Sequence, residues 1–351
     1  MRLRALQGTV SIAAIALVLL GAPALAQSGG DGAARTGKAE TEVSSGSNQA
    51  PLLLPYSQGR SAEGNGPEGS ADSKPASKSD LAYGAFQRGF YLTALQIATP
   101  LANLGDPAAQ TLLGEIYSRG LGVAQDLKEA ARWYEAAAGS GNPEAQFRFA
   151  MILLDGKVVA PDEAKARDLM KAAADKGLPL AEYNYGQMLI EASPAGGFAE
   201  AKTYFEKAAN AGVADAQYAM SQLYAYGRGV QADDEKARAW LRAAAINGQD
   251  TAQIEYGIWL INGRGGPQKM KDGFRFLKRA AELGNPIAIN RVAHLYKDGI
   301  GTEPDRLEAA KWAVIAKRVK NSDSQLDDFF RGLDQKTQKA ALEAANRYRS
   351  G

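Results

Sequence analysis

A block of about 36 residues recurs six times in tandem between Gly105 and Val319, opening on the pattern Gly-Asx-Pro-x-Ala-Gln and closing on an aromatic residue with an alanine-rich run. The copies start at Gly105, Gly141, Gly177, Gly212, Gly248 and Gly284. A fixed period of this length marks a repeat array, in which each unit cannot bury its apolar face alone and must stack on its neighbours. Such arrays present extended binding surfaces rather than catalytic pockets, so the period constrains both the fold and the type of function.

Aligned columns show what each position must do. Ala109, Ala145, Ala181, Ala216, Ala252 and Ala288 share one column, and Gly114, Ala150, Gly186, Ser221, Gly257 and Ala293 a second. Both demand a small side chain, as closely approaching helices do. Trp133, Leu169, Tyr204, Trp240, Phe276 and Trp312 form a third column, predicted to be buried, beside a fourth of Ala137, Ala173, Ala208, Ala244, Ala280 and Ala316.

Each copy reads as two helices. Asp106-Pro107, Asn142-Pro143 and Asn285-Pro286 put an Asx at the N-cap and Pro at the first helical position, the preferred start chemistry. Glycines such as those of Gly120-Leu121-Gly122 and Gly299-Ile300-Gly301 supply the positive φ that ends the first helix. Asp126 with Glu129, and Asp305 with Glu308, predict capping boxes on the second helix, and Asp162 and Asp233 hold the same register. Lys269 takes that place in the fifth copy, which predicts a less sharply defined start after Pro267.

This pattern resembles the Sel1-like repeat family, a relative of the tetratricopeptide repeat, over residues 105–319. The resemblance implies an all-α, right-handed α/α superhelical solenoid whose first helices line the concave side, bind a protein partner there, and need no cofactor. Residues 80–104 are expected to form an N-terminal capping pair, with short helical stretches at 91–95 and 100–102. At the other end Lys320 stands where a seventh glycine is due, and residues 320–351 are expected to supply two capping helices, at 325–332 and 335–349. An open repeat end would otherwise expose core.

Arg2 and Arg4, the apolar stretch from Val10 to Leu20, and Ala24-Leu25-Ala26 read as a secretory signal peptide over residues 1–26, cleaved near Ala26. The expectation is a periplasmic or secreted protein with no membrane span after cleavage. Residues 27–79 are rich in Gly, Ser, Ala and charge, the composition of a disordered linker. Within it Leu52, Leu53, Leu54 and Tyr56 form an apolar island around Pro51 and Pro55, either a docking motif or an inert patch.

Cleavage removes Arg2 and Arg4 and leaves 39 basic and 39 acidic residues, which argues against nucleic acid as the obligate partner. That neutrality hides a gradient. Residues 81–263 carry 16 basic and 21 acidic side chains, whereas residues 264–349 carry 18 and 11. There is no cysteine, hence no disulfide and no thiolate ligand or nucleophile. His294 is the one histidine, which excludes a His-paired metal site, and its column is otherwise Glu115, Met151, Gln187, Gln222 and Ile258, a variation that suits a non-catalytic residue.

Three columns spaced i, i+4 and i+7 share one face of the first helices. Through the second to fifth copies they read Phe147/Met151/Leu154, Tyr183/Gln187/Ile190, Tyr218/Gln222/Ala225 and Ile254/Ile258/Ile261, whereas the flanking copies carry Thr111/Glu115/Ser118 and Asn290/His294/Lys297. The predicted partner-binding groove is therefore Phe147, Met151, Tyr183, Gln187, Tyr218, Gln222, Ile254 and Ile258; packing between repeats is the other explanation. The functional expectation is an exported, non-enzymatic scaffold for an envelope sensor or assembly protein, the alternative being an enzyme or enzyme accessory acting on cell-wall or polysaccharide material.

Overall fold

The computed structural model describes residues 77–194 and 196–348, which form 16 helices and no strand. The expected signal peptide, nearly all of the expected linker, and Leu52, Leu53, Leu54 and Tyr56 lie outside the described residues. Two helices, α1 (Lys78–Gln87) and α2 (Tyr91–Asn103), precede six pairs. The pairs are α3 (Pro107–Arg119) with α4 (Leu127–Gly139), α5 (Pro143–Asp155) with α6 (Glu163–Asp175), and α7 (Pro179–Ala192) with α8 (Gly197–Asn210). They continue as α9 (Ala214–Tyr226) with α10 (Asp234–Ile246), α11 (Asp250–Asn262) with α12 (Met270–Glu282), and α13 (Pro286–Asp298) with α14 (Arg306–Arg318). Helices α15 (Ser324–Arg331) and α16 (Gln335–Arg347) end the array. Each helix packs mainly on its neighbours in sequence, and α16 turns back onto α14, so the architecture is an all-α repeat solenoid.

The helix ends follow from local chemistry. Asp106, Asn142 and Asn285 accept the N–H of Ala109, Ala145 and Ala288 at 2.8, 3.0 and 3.1 Å. The first helices stop at Gly120, Gly156, Gly227, Gly263 and Gly299, all left-handed. Asp126 and Asp305 cap the second helices as expected, but the reciprocal half of the capping box is missing. The cap's own N–H already donates to a first-helix carbonyl, Asp126 to Tyr117 and Asp305 to Tyr296, so Glu129 pairs with Arg132 and Glu308 with Lys311 instead. Lys269 provides no side-chain cap, and its helix starts at Met270.

Each second helix ends in a turn whose C″ N–H reaches back five residues to a carbonyl, as from Asn142 to Ala137 and from Asn285 to Ala280, the closure of a Schellman motif. The residue before the donor needs positive φ. Glycine supplies it in every repeat; at the seventh turn Lys320 adopts φ +57°, the only described non-glycine residue with positive φ, and Asn321 still donates to Ala316. At the N-terminal end, α2 is one continuous helix rather than two short stretches. Pro100 lies inside it, and the bond it forgoes is to the carbonyl of exposed Gln96, where water can serve. Its partner α1 starts at Lys78 behind a Ser77/Asp80 capping box, two residues before the boundary expected at residue 80.

The small columns are as tight as their composition demands. A Cβ added at Gly114 would meet the Tyr134 ring at 2.6 Å, and one at Gly186 the Phe205 ring at 2.7 Å. The large column that fills the core is not the predicted one. It lies one residue later, in Tyr134, Met170, Phe205, Leu241 and Leu277, none more than 2% exposed. One residue is about 100° of rotation on a helix, so Trp133, Leu169, Tyr204, Trp240 and Phe276 end up half-buried. Trp312 alone in that column is buried, because Tyr348, just past the end of α16, covers it, the ring centroids 5.3 Å apart.

The glutamine that closes each Pro-x-Ala-Gln opening joins one repeat to the previous one. Gln110, Gln146, Gln217 and Gln253 donate to the carbonyls of Ala102, Ala138, Ala209 and Ala245 at 3.0, 3.5, 3.0 and 3.3 Å. Each bond adds a second donor to a carbonyl at the end of the preceding helix that already accepts the N–H of the turn glycine. The third repeat departs from the rule at three places. Leu178 gives no side-chain cap, the loop after α7 lacks the left-handed glycine, and Glu182 replaces the glutamine.

Candidate functional site: the face of the first helices

The predicted groove residues fall on one face of α5, α7, α9 and α11, and stacking consumes most of them. Phe147, Gln187, Tyr218, Gln222 and Ile254 are buried, between 2% and 7% exposed. As open contact surface for a partner these five are corrected to repeat-packing residues. The physical reason is the next repeat: the Tyr218 hydroxyl donates to Glu255 Oε1 at 2.9 Å, and Gln222 Nε2 donates to Glu255 Oε2 at 3.0 Å, so α11 closes over α9. Ile254 joins the apolar cluster of Leu277, Ala288, Ile289 and Val292, and Phe147 that of Tyr134, Ala150 and Met170. Gln187 donates to the Tyr183 hydroxyl on its own helix. What remains half-exposed of the predicted set is Met151, Tyr183 and Ile258.

The electrostatics of this face come from burial. Desolvation raises the Glu255 carboxyl above the ordinary glutamate range, and the hydrogen bonds from Tyr218 and Gln222 offset only part of that rise. Burial likewise pushes up the phenols of Tyr218, with the Glu255 charge adding to it, and of Tyr183, with Asp215 adding to it. Both stay protonated; the Tyr218 hydroxyl donates to Glu255, whereas that of Tyr183 accepts from Gln187. Glu255 itself was not among the predicted residues; its column changes between Leu112, Arg148, Asn184, Ala219 and Arg291, and only its position opposite Tyr218 in space reveals its part.

The polar ends of the face have structural explanations. At the first repeat Glu115 accepts from the Tyr134 hydroxyl at 3.0 Å and pairs with Arg119 at 3.1 Å. At the sixth, His294 Nε2 and Asn290 Nδ2 both meet Asp323 Oδ2, at 2.8 and 3.0 Å, and Asp323 is the N-cap of α15. Burial would raise the Asp323 carboxyl, but the bonds from His294, Asn290 and the Leu326 N–H outweigh it and hold it well below the ordinary aspartate range. The single histidine thus fastens the C-terminal cap to the last repeat. Among the described residues no group of three or more His, Asp or Glu is placed to hold a metal ion, and no helix is long and apolar enough to cross a membrane.

The Sel1 repeat matches six times, at residues 107–142, 143–178, 179–213, 214–249, 251–285 and 286–317, together well over half of the chain. The chain belongs to the Sel1 repeat family. Repeats of this family generally mediate protein–protein interaction and are typically non-catalytic. The array is similar in fold to a Sel1 repeat protein from Oxalobacter formigenes, at 24% identity and a TM-score of 0.58, over 68% of this chain and 96% of that one. It is also similar to c5321, described as a protective antigen of uropathogenic Escherichia coli strains, at 23% identity and a TM-score of 0.52, over 77% of this chain and 68% of that one. No curated protein matches the chain in sequence.

Proposed function

We propose that the protein is an exported scaffold that binds a partner protein, an envelope sensor or assembly protein, along the first-helix face of repeats two to five. The observation that carries the reading is the apolar remainder of that face: Met151, Tyr183 and Ile258 on α5, α7 and α11 are only half-buried, although stacking has taken their neighbours. A few apolar or aromatic anchors of this kind usually dominate an interface. Tyr183 adds an aromatic ring with a polar tip, its hydroxyl accepting from Gln187 and its proton free to donate. Export rests on the residues at 1–26, with their two arginines, apolar stretch and Ala24-Leu25-Ala26.

The test combines fractionation with capture. The protein recovered from the cell envelope should begin after Ala26, and the wild type should retain a specific envelope protein that a Met151→Ser/Tyr183→Ser/Ile258→Ser variant loses, with the two melting alike. The expected loss is on the order of 1 to 3 kcal/mol for each true anchor. Equal retention by the folded variant would end the groove reading, and an uncleaved protein confined to the cytoplasm would end the export reading.

A further inference from the structure

The last repeat is closed by two helices rather than by the first helix of a further repeat. Within the array, a first helix of 13 or 14 residues lies against the second helix of the preceding repeat. Helix α15, which takes that place against α14, has 8 residues. Helix α16 packs on α14 as extensively as the helices of the array pack on one another, and a groove of about 640 Å³ remains between α14, α15 and α16. Val314, Phe330 and Leu342 line it with apolar surface, and Leu342 is 43% exposed.

The edge of the groove is cationic. Lys317, Arg318 and Arg331 stand around it with one carboxylate, Asp327. Arg318 is committed to the Ala345 carbonyl and Asn346. Lys317 and Arg331 pair with Asp327 and Asp328, but their side chains are 70% and 74% exposed, and pairs so open to water are weak and easily exchanged. The surrounding region has the same sign, 18 basic against 11 acidic residues over 264–349. We propose that this groove docks an acidic amphipathic helix from a partner protein, its apolar side on Phe330 and Leu342 and its flanking carboxylates on Lys317 and Arg331. A helix laid in an apolar groove is an established mode of peptide recognition. The site is separate from the face of repeats two to five, and its partner need not be the same.

The probe is a synthetic 14-residue helical peptide with leucines at i, i+3, i+4 and i+7 and glutamates on both flanks, compared with the same peptide carrying lysines for glutamates. Both are titrated against the full chain by fluorescence anisotropy at low and high salt, with hydrogen exchange to locate the contact. The expected result is binding of the glutamate peptide about tenfold or more tighter than the lysine peptide, weakening at high salt as screened charges do. Exposed Leu342→Glu and Lys317→Glu should each reduce it at least about fivefold without changing the melting of the protein. Absence of binding, equal binding of the two peptides, indifference to Leu342→Glu, or protection mapped to α5, α7 and α11 would each overturn the proposal. So would a chain that self-associates and is dispersed by Leu342→Glu while ignoring the peptides, because the occupant would then be a second copy.

Discussion

Replacing Glu182 with glutamine should stabilise this protein, the opposite of what most substitutions at buried positions do. Four other repeats carry glutamine there and use its amide to tie the repeat to the end of the preceding helix. Glu182 is 4% exposed, and the equivalent acceptor is the carbonyl of Ala174. An ionised carboxylate has no proton to give it. The substitution supplies the missing donor, worth about 0.5–1.5 kcal/mol net, and removes a partly desolvated charge, so about 1–2 kcal/mol of added stability is expected at neutral pH. The effect carries a pH signature. Burial raises the Glu182 carboxyl above the ordinary glutamate range, while Lys207 pulls it the other way. A folded-state pKa above the unfolded one means that the contribution of this group is fully present below the unfolded value and is lost as pH rises through the folded one. The protonated carboxyl can itself donate to Ala174, which makes it resemble glutamine. The gap between Glu182→Gln and wild type should therefore be small at about pH 4, near the unfolded glutamate value, and open as pH rises above that range. Urea unfolding followed by circular dichroism at several pH values measures the gap. Hydrogen exchange in α6 and α7 complements it, since repeat arrays do not always unfold as one unit. A variant no more stable than wild type at neutral pH, or a gap independent of pH, would refute the reasoning.

Two other substitutions test the packing and the turns. Leu241→Ala, at a fully buried position of the core column, should cost about 2–5 kcal/mol in equilibrium unfolding, and Trp240→Ala, one position earlier and half-buried, clearly less; the reverse order would restore the predicted tryptophan column. Lys320→Gly, at the turn where φ is +57°, should raise stability by up to about 1 kcal/mol by relieving the left-handed strain of a residue with a Cβ, and a lower melting temperature would show that the lysine side chain makes a compensating contact.

Much of the fold was legible because its punctuation is local. Asx-Pro pairs, Asp caps and turn glycines act on atoms within a few residues of themselves, so a single chain displays them without its tertiary structure. The small columns were legible for a related reason, since nothing larger fits beside the rings of Tyr134 and Phe205. The core column was misread because positions 240 and 241 are both large and apolar, as are 133 and 134, and composition does not say which of two adjacent residues faces inward. The face of the first helices was harder. Its apolar character in the middle of the array was visible, but whether Tyr218 meets a partner or the next repeat depends on Glu255, 37 residues away and in a column without a constant residue type. The role of the repeated glutamine also needed three dimensions, because its acceptor lies eight residues back, across a turn.

The joint made by that glutamine in four of the repeats connects a repeat only to the one before it, which turns the number of copies into a measure of length. Helices pack about 8–10 Å apart, so removing or duplicating one copy within the array would move the C-terminal groove toward or away from the central face by about 10 Å per helix layer, while the surfaces themselves stayed intact. A partner that engages both places at once would thus read the copy number directly, and selection on such a partner would act on whole-repeat duplications rather than on point substitutions.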